Sequence, residues 1–369
     1  MHAHPDPQLA SPITAKDVIF TQATPHQRIL SWELNGASWA PPMTISQYVG
    51  RETTLSETAL SADGGTKYWI LHPKDDPETI VSACEVTTKK ALVADSNGVR
   101  EVDAYSIASV FTNPLFRERG MAGHMLRKVQ EEVDGWTECG ALYSDIGRVY
   151  YTRLGWKDFR SPQVLFTLGE DFIAPDTERV MLLRDGEIPA LCERDVAAVK
   201  EQFRRLAEAE DGKTHVTFLP TTEQLTWHFA RDAYVCKTLR DREVVNRGAK
   251  TVDGASWIYW DHDLREKKLK ILRIVIRQED SAVKKTEDVK MLLVAALKEA
   301  KDWKLAKVLV WNPGKDISVV ATELWHDLGP EVQVVFDERE DGSIPSLRWK
   351  GGKELEDVVW ECNEYFAWC

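Results

Sequence analysis

No apolar run in this 369-residue sequence is long enough to span a bilayer, which takes about 20 consecutive apolar residues. The N-terminal stretch MHAHPDPQLASPITAKDV is polar and proline-rich and lacks the apolar centre of a signal peptide. The expectation is a cytoplasmic, reducing setting with no membrane partner. Cysteines are few and scattered: Cys84, Cys139, Cys192, Cys236, Cys362 and Cys369. They form no CxxC and have no neighbouring histidine pair, which argues against zinc, or any metal, and against a disulfide framework. Positive charge is in deficit. A net charge of −12 argues against a general nucleic-acid or anionic-membrane binder and suits a protein that accepts cationic small molecules, although such a surplus also simply solubilises.

Present instead is the composition of a soluble globular protein, 43% apolar and 29% charged, in a chain long enough for two or three domains. Fourteen tryptophans could line a cleft or serve packing and domain contacts. Along the chain, apolar periodicity predicts a strand at 13–24, helices at 25–40 and 43–55, and strands at 67–72, 80–94 and 104–112. A helix from 121, a strand at 140–147, a short helix at 148–156 and a strand at 158–169 follow. Residues 169–189 look like a connector. Beyond it the order strand–helix–strand–helix–strand returns, which reads as an internal duplication. The predicted organisation is a tail over 1–12, a first domain over 13–169, a linker over 170–189 and a second domain over 190–369.

The stretch FRERGMAGHML, residues 116–126, stands out. It lies between an apolar strand and a helix whose inward stripe is Met121, Met125, Leu126, Val129 and Val133. The first amides of a helix lack internal partners, and with the helix dipole they favour a bound anion. Gly120 and Ala122 leave the backbone open, and Arg117, Arg119, Arg127 and Lys128 add positive charge. A pyrophosphate fits. The loop does not end in GK[ST] as a mononucleotide P-loop would, and it comes too late in its unit for a Rossmann fingerprint. In the second half its place is taken by RQEDSAVKKTED, 277–288, which has no glycine. The second domain is therefore expected to be structural or substrate-shaping.

At these residues the sequence resembles the GCN5-related N-acetyltransferases. Their strand–P-x-x-R-x-x-G-x-G/A–helix motif falls on Pro114, Arg117, Gly120 and Ala122, and their Y-x-x-x-G-F/W helix falls on Tyr151, Gly155 and Trp156. The resemblance covers about 13–169. More narrowly, LYSDIG…YYTRLGW with an added C-terminal domain resembles the fungal lysine N6-acetyltransferases of lysine catabolism. It implies an α/β (α+β) fold with a central mixed, mostly antiparallel sheet flanked by helices, and a degenerate second copy. It also implies acetyl-CoA as cosubstrate, its pantetheine arm on the backbone at Val110 and Thr112, and its pyrophosphate on the amides of Arg117, Arg119, Gly120, Met121 and Ala122. Direct attack by an amine is implied, with Tyr151 as general acid; Tyr150 is its internal competitor. Asp145 is placed to steer an ammonium or relay its proton, and fits equally well as a turn or N-cap residue.

For the acceptor, Trp32, Trp39 and Tyr48 are candidates for a tunnel wall, with Glu33 as charge partner. The ending WECNEYFAWC is expected to be packed, as a final strand of the second domain. Alternatively Glu364 or the Cys369 carboxylate reaches the cleft. The acceptor implied is a small amine, L-lysine first. A peptide lysine, or a CoA-binding protein without activity, are the rival classes.

Overall fold

The computed structural model describes residues 13–175, 179–352 and 354–368. The strand β1 (Val18–Gln22) precedes α1 (Pro25–Trp39) and α2 (Ile45–Ser56), then β2 (Thr66–Pro73), β3 (Ser82–Asp95) and β4 (Gly98–Thr112). Next come α3 (Met121–Val133), β5 (Cys139–Ser144), α4 (Val149–Thr152), β6 (Lys157–Asp158) and β7 (Pro162–Leu168). The second half holds β8 (Val180–Leu183), α5 (Ile188–Glu208), β9 (Thr214–Phe218), α6 (Thr222–Arg240), β10 (Gly248–Thr251), β11 (Trp257–Asp263) and β12 (Lys268–Val275). It ends with α7 (Ala282–Asp302), β13 (Lys307–Trp311), α8 (Lys315–Leu328), β14 (Val332–Glu338), β15 (Ile344–Trp349) and β16 (Val358–Trp360).

Local chemistry sets these boundaries. Thr24 and Thr44 each cap a helix through a reciprocal box with Gln27 and Gln47. Pro25 opens α1, where its missing N–H costs nothing. Gly155, at φ +83°, ends the turn after α4. The stripe Met121, Met125, Leu126, Val129 and Val133 is buried, as its spacing predicts.

The strands form two mixed sheets. In the first, β1 to β4 are antiparallel in order, and β4 then pairs in parallel with β5. β15 lies antiparallel on the far side of β5 and carries β6. The distal part of β3, residues 91–94, takes β9, and β9 takes β16. The second sheet runs β14-β7-β13-β12-β11-β10-β8. Its parallel pair β12–β13, joined through α7, repeats β4–α3–β5. The duplication is thus real at the level of topology.

The expected boundary near residue 169 does not separate the sheets. β7, from the first half, sits between β14 and β13 in the second sheet. β9, β15 and β16, from the second half, belong to the first. The expected linker contains β8, an edge strand. A strand's apolar pattern says that it will be buried, not beside which strand. One apolar cluster joins the sheets: Ala91, Val93, Ala104 and Ala141 meet Tyr259, Leu272 and Leu309, with Trp349, Trp360 and Phe366.

Candidate functional site

The β4–β5 pairing runs from Ala104↔Cys139 to Ile107↔Leu142 and stops there, while β4 continues to Thr112. A bulge marks the departure. Between the pairs Glu85↔Ala108 and Ala83↔Phe111, β4 has one residue more than β3, and Ser109 has φ +53°. The β4 edge over residues 108–112 is left without a strand on the β5 side. Val110 and Thr112 lie on this open edge, as the sequence reading required, and an extended ligand arm could add to it as a strand does.

Beyond Asn113 the chain enters the loop. Glu118 and Gly120 take positive φ, +62° and +73°, and a Cβ on Gly120 would meet nothing within 4 Å. The first helical bond of α3 is His124 N–H to Gly120 O, so the amides of residues 118–123 are bonded to none of the described residues. A row of free amides at an open helix N-terminus matches a diphosphate. Arg117 and Arg119 are exposed beside it. Arg117 Nε also donates to Thr112 O at 3.1 Å, which clips the loop back onto the end of β4.

Tyr151 and Tyr150 point to different places. Tyr151 is buried with Cys84, Met121 and Leu142; burial, Tyr150, Cys84 and Asp145 all push its hydroxyl upward, so it holds its proton. Tyr150 is half-buried, stands edge-on to Tyr151 at 5.2 Å, and has its hydroxyl by Gly123 and Arg127 on the loop side. The motif spacing alone separated the two.

On the opposite face of the sheet lies a carboxylate the sequence reading missed. Glu85 is paired to Ala108 at the bulge and accepts from Trp32 Nε1 at 3.3 Å. Burial and the nearby Glu52 carboxylate raise its pKa to about 8. It faces a cavity of about 20 Å³, room for one water, with Glu52, Tyr68, Ala108 and Trp227 in the wall. The only signal in the sequence was one acidic residue within the predicted strand 80–94, whose other charged residues are Lys89 and Lys90.

A larger cavity of about 560 Å³ opens between α1–α2 and the second sheet. Arg51 and Arg231 in its wall lie one residue from Glu52 and one helical turn from Trp227 of the smaller cavity. Trp39, packed edge-on to Phe111 of β4 at 5.4 Å, and Asp145, just past β5, bring the larger cavity to both lips of the opened strand pair. Asp145 is exposed and accepts from Ser343 N at 2.8 Å. Arginine and lysine outnumber aspartate and glutamate in this wall by six to four, in a chain of opposite net charge.

Other expectations do not meet in the cavity. Glu33 is exposed on α1 and outside the wall. Trp32 and Tyr48 are core residues. Glu364 is bound to Arg273 at 2.6 Å and accepts from Ile274 N, on the stretch of β12 past its last β13 pair. It fills the gap in the second sheet that is left open in the first. Tyr365 and Trp368 line the cavity instead; Cys369 lies outside the described residues. The final strand, β16, is in the first sheet, not the second. Cys236 does acquire a histidine in space: its sulfur, Asp232 and His262 come together. Cys236 Sγ donates to Asp232, whose other oxygen holds His262 Nδ1 at 2.9 Å, and burial and Asp232 keep the thiol from ionising.

A parallel pair that opens over a bulge, a free-amide loop at a helix start and a buried tyrosine beyond the second strand define a GCN5-related N-acetyltransferase. The description "LYC1 GNAT-like C-terminal domain" matches residues 170–369, and the chain belongs to that family. It is 25% identical to the "Uncharacterized protein YGR111W" of Saccharomyces cerevisiae, across 90% of this chain and 93% of that one. It is 22% identical to the "Lysine acetyltransferase" of Yarrowia lipolytica, across 90% and 94%. Among solved structures, a GCN5-related N-acetyltransferase from Kribbella flavida shares the fold at TM-score 0.53 and 14% identity, across 90% of this chain and 71% of that one. One from Anabaena variabilis does so at 0.53 and 10%, across 90% and 73%. The superfamily uses acetyl-CoA in general. No helix among the described residues is long and apolar enough to cross a membrane.

Proposed function

We propose that this protein transfers an acetyl group from acetyl-CoA to the terminal amine of free L-lysine or a similar small amino acid. The observation that carries the reading is the charged 560 Å³ cavity at the mouth of the opened β4–β5 pair. Its volume is that of a small-molecule pocket, roughly 300–1,000 Å³. Its mixed charge suits a zwitterion, and Trp39 and Trp311 offer apolar wall to a methylene stem. The relative named for lysine acetylation supports the same acceptor.

Bound acetyl-CoA supplies a thioester carbonyl activated toward an amine. The amides of Arg117, Arg119, Gly120, Met121 and Ala122 hold its diphosphate, and the β4 edge at Val110 and Thr112 holds its arm. Lysine's side-chain amine is protonated in water, with a pKa of ~10.4. Glu85, alone or through one water, takes that proton. The nitrogen–carbon bond forms as the carbon–sulfur bond breaks, Tyr151 gives a proton to the departing sulfur, and the second proton shed by the nitrogen as it becomes an amide restores Tyr151. Asp145 holds the incoming ammonium at the lip of the cavity. Burial keeps Tyr151 protonated for its role, while Glu85 is ionised for its own as the pH rises through about 8.

An acetyl-CoA thiol-release assay with L-lysine, cadaverine, a polyamine and a lysine-containing peptide tests the reading. Turnover of lysine well above the rest is expected. Preference for the peptide would replace the reading with a protein acetyltransferase. No turnover, with CoA bound by calorimetry, would leave a binding protein.

A further inference from the structure

Three arginines are buried among the described residues, Arg247, Arg273 and Arg339, and there only the last is left without an ion pair. Arg339 follows β14, is 8% exposed and lines the large cavity. Its Nε, Nη1 and Nη2 have no hydrogen-bond partner among the described residues. The contrast with its peers is sharp. Arg273 is held by both Asp195 and Glu364, and Arg247 by Asp185. In the cavity wall, Arg51 is paired with Glu52 and Lys270 with Asp263. Arg265 and Lys268 share Glu266, and Arg231 faces Asp261 and Asp263. Glu338, beside Arg339 in the chain, is committed to Ser161, Arg148 and Arg160.

The arginine is nonetheless firmly placed. Its backbone N–H donates to Ser161 O at 3.1 Å, and its carbonyl accepts from Ser161 Oγ at 2.9 Å and Arg148 Nη2 at 3.0 Å. Its guanidinium lies over the Trp311 ring, 3.6 Å from the centroid. Burial with no anion in contact lowers its pKa to about 10. A buried charge that lacks its counterion is strongly destabilising, and a planar five-donor fork matches a carboxylate in two-point fashion.

We infer that Arg339, stacked on Trp311, is the anchor for the acceptor's carboxylate and so makes the enzyme select amino acids over plain amines. The inference rests on the proposed reaction for its acceptor and deepens it, since it names the group that reads the end of the substrate remote from the reacting nitrogen. With the carboxylate fixed on Arg339, the stem runs past Trp311 and Trp39 toward the opened strands.

The test compares Arg339→Met and Arg339→Lys with the unaltered protein. Each is assayed with L-lysine and with cadaverine, which has the same stem and amine but no carboxylate. For Arg339→Met, KM for lysine should rise about 100-fold while the cadaverine parameters hold, so the preference for lysine disappears. Arg339→Lys should recover part of it. A drop for both substrates alike would mean that Arg339 serves a carboxylate of the chain itself, and would overturn the inference. Thermal-shift titration with L-lysine and 6-aminohexanoate reads carboxylate binding without turnover. Both should stabilise the unaltered protein and neither should stabilise Arg339→Met; equal shifts in the two proteins would also overturn it. Because the guanidinium of Arg339 has no hydrogen-bond partner to lose among the described residues, the ligand-free melting temperature of Arg339→Met should hold or rise, where a structural arginine would lower it. Failure of the lysine reaction with arginine-dependent carboxylate binding intact would sink the proposed acceptor and leave the anchor standing.

Discussion

At the scale of single residues, proton traffic is set by environment more than by residue type. Glu85 is a glutamate by sequence, yet burial and Glu52 hold it neutral until about pH 8. As the proposed base it must be ionised, so kcat/KM should climb with pH and level off above about 8. Glu85→Gln should lower kcat roughly 100-fold or more and abolish that limb. Its effect on stability has the opposite sense. Because the folded pKa lies above the ordinary value of 4.5, the stabilisation is complete below 4.5 and is lost as pH rises through 8. Glu85→Gln should therefore melt no lower than the unaltered protein at pH 8.5, even as its activity falls. A lower melting temperature there would mark Glu85 as structural. For Tyr151→Phe, kcat should fall ~100-fold while the melting temperature barely moves, because the ring keeps its packing against Cys84 and Leu142. An unchanged kcat would take the acid role away from Tyr151. The loop and Tyr151 were legible in the sequence because spacing along one strand and one helix fixes them. Glu85 and Arg339 were not, because their meaning lies in what the fold places beside them.

At the scale of elements, the C-terminal turn shows how a sound local reading meets an unexpected tertiary role. The aromatic ending was expected to be packed, and Tyr365, Phe366 and Ala367 are buried. Lys89 Nζ donates to Ala367 O at 2.7 Å, and Gln224 Nε2 to Phe366 O at 2.8 Å. Had Glu364 or the Cys369 carboxylate reached the cleft, removal of the last five residues would raise KM or abolish kcat and leave the fold intact. With Phe366 fully enclosed in the cluster that joins the sheets, the cost should be at least ~3–5 kcal/mol. Denaturant unfolding of a chain ending at Glu364 should show a midpoint well below that of the full chain. An unchanged midpoint with lost activity would restore the purely catalytic role of the tail.

At the scale of the molecule, the two halves are built as repeats but not as independent bodies. β7 completes the second sheet from the first half, and β9, β15 and β16 complete the first sheet from the second. Residues 1–169 and 170–369 expressed apart should each lack fixed tertiary packing, seen as lost near-ultraviolet circular dichroism. Mixing them should restore it together with CoA binding. A folded, CoA-binding 1–169 fragment would show that the exchanged strands are dispensable. The exchange also has a functional side. It fixes β15 against β5 and docks Ser343 on Asp145, so the cavity wall contributed by the second half is held in register with the opened strands of the first.

The sequence by itself determined the parts whose physics is local. These are the order of strands and helices, the buried stripe of α3, the anion-ready loop at Gly120, and the spacing that singles out Tyr151. Each depends on residues a few positions apart, and a helix or strand period records such relations directly. Only the tertiary structure decided that Glu364 neutralises Arg273 rather than reaching the cleft, that Glu33 faces solvent, and that Arg339 has no ion-pair partner among the described residues. Those are facts about neighbours nearly 30 to nearly 200 residues away in the chain, and one sequence carries no record of which distant side chains will meet.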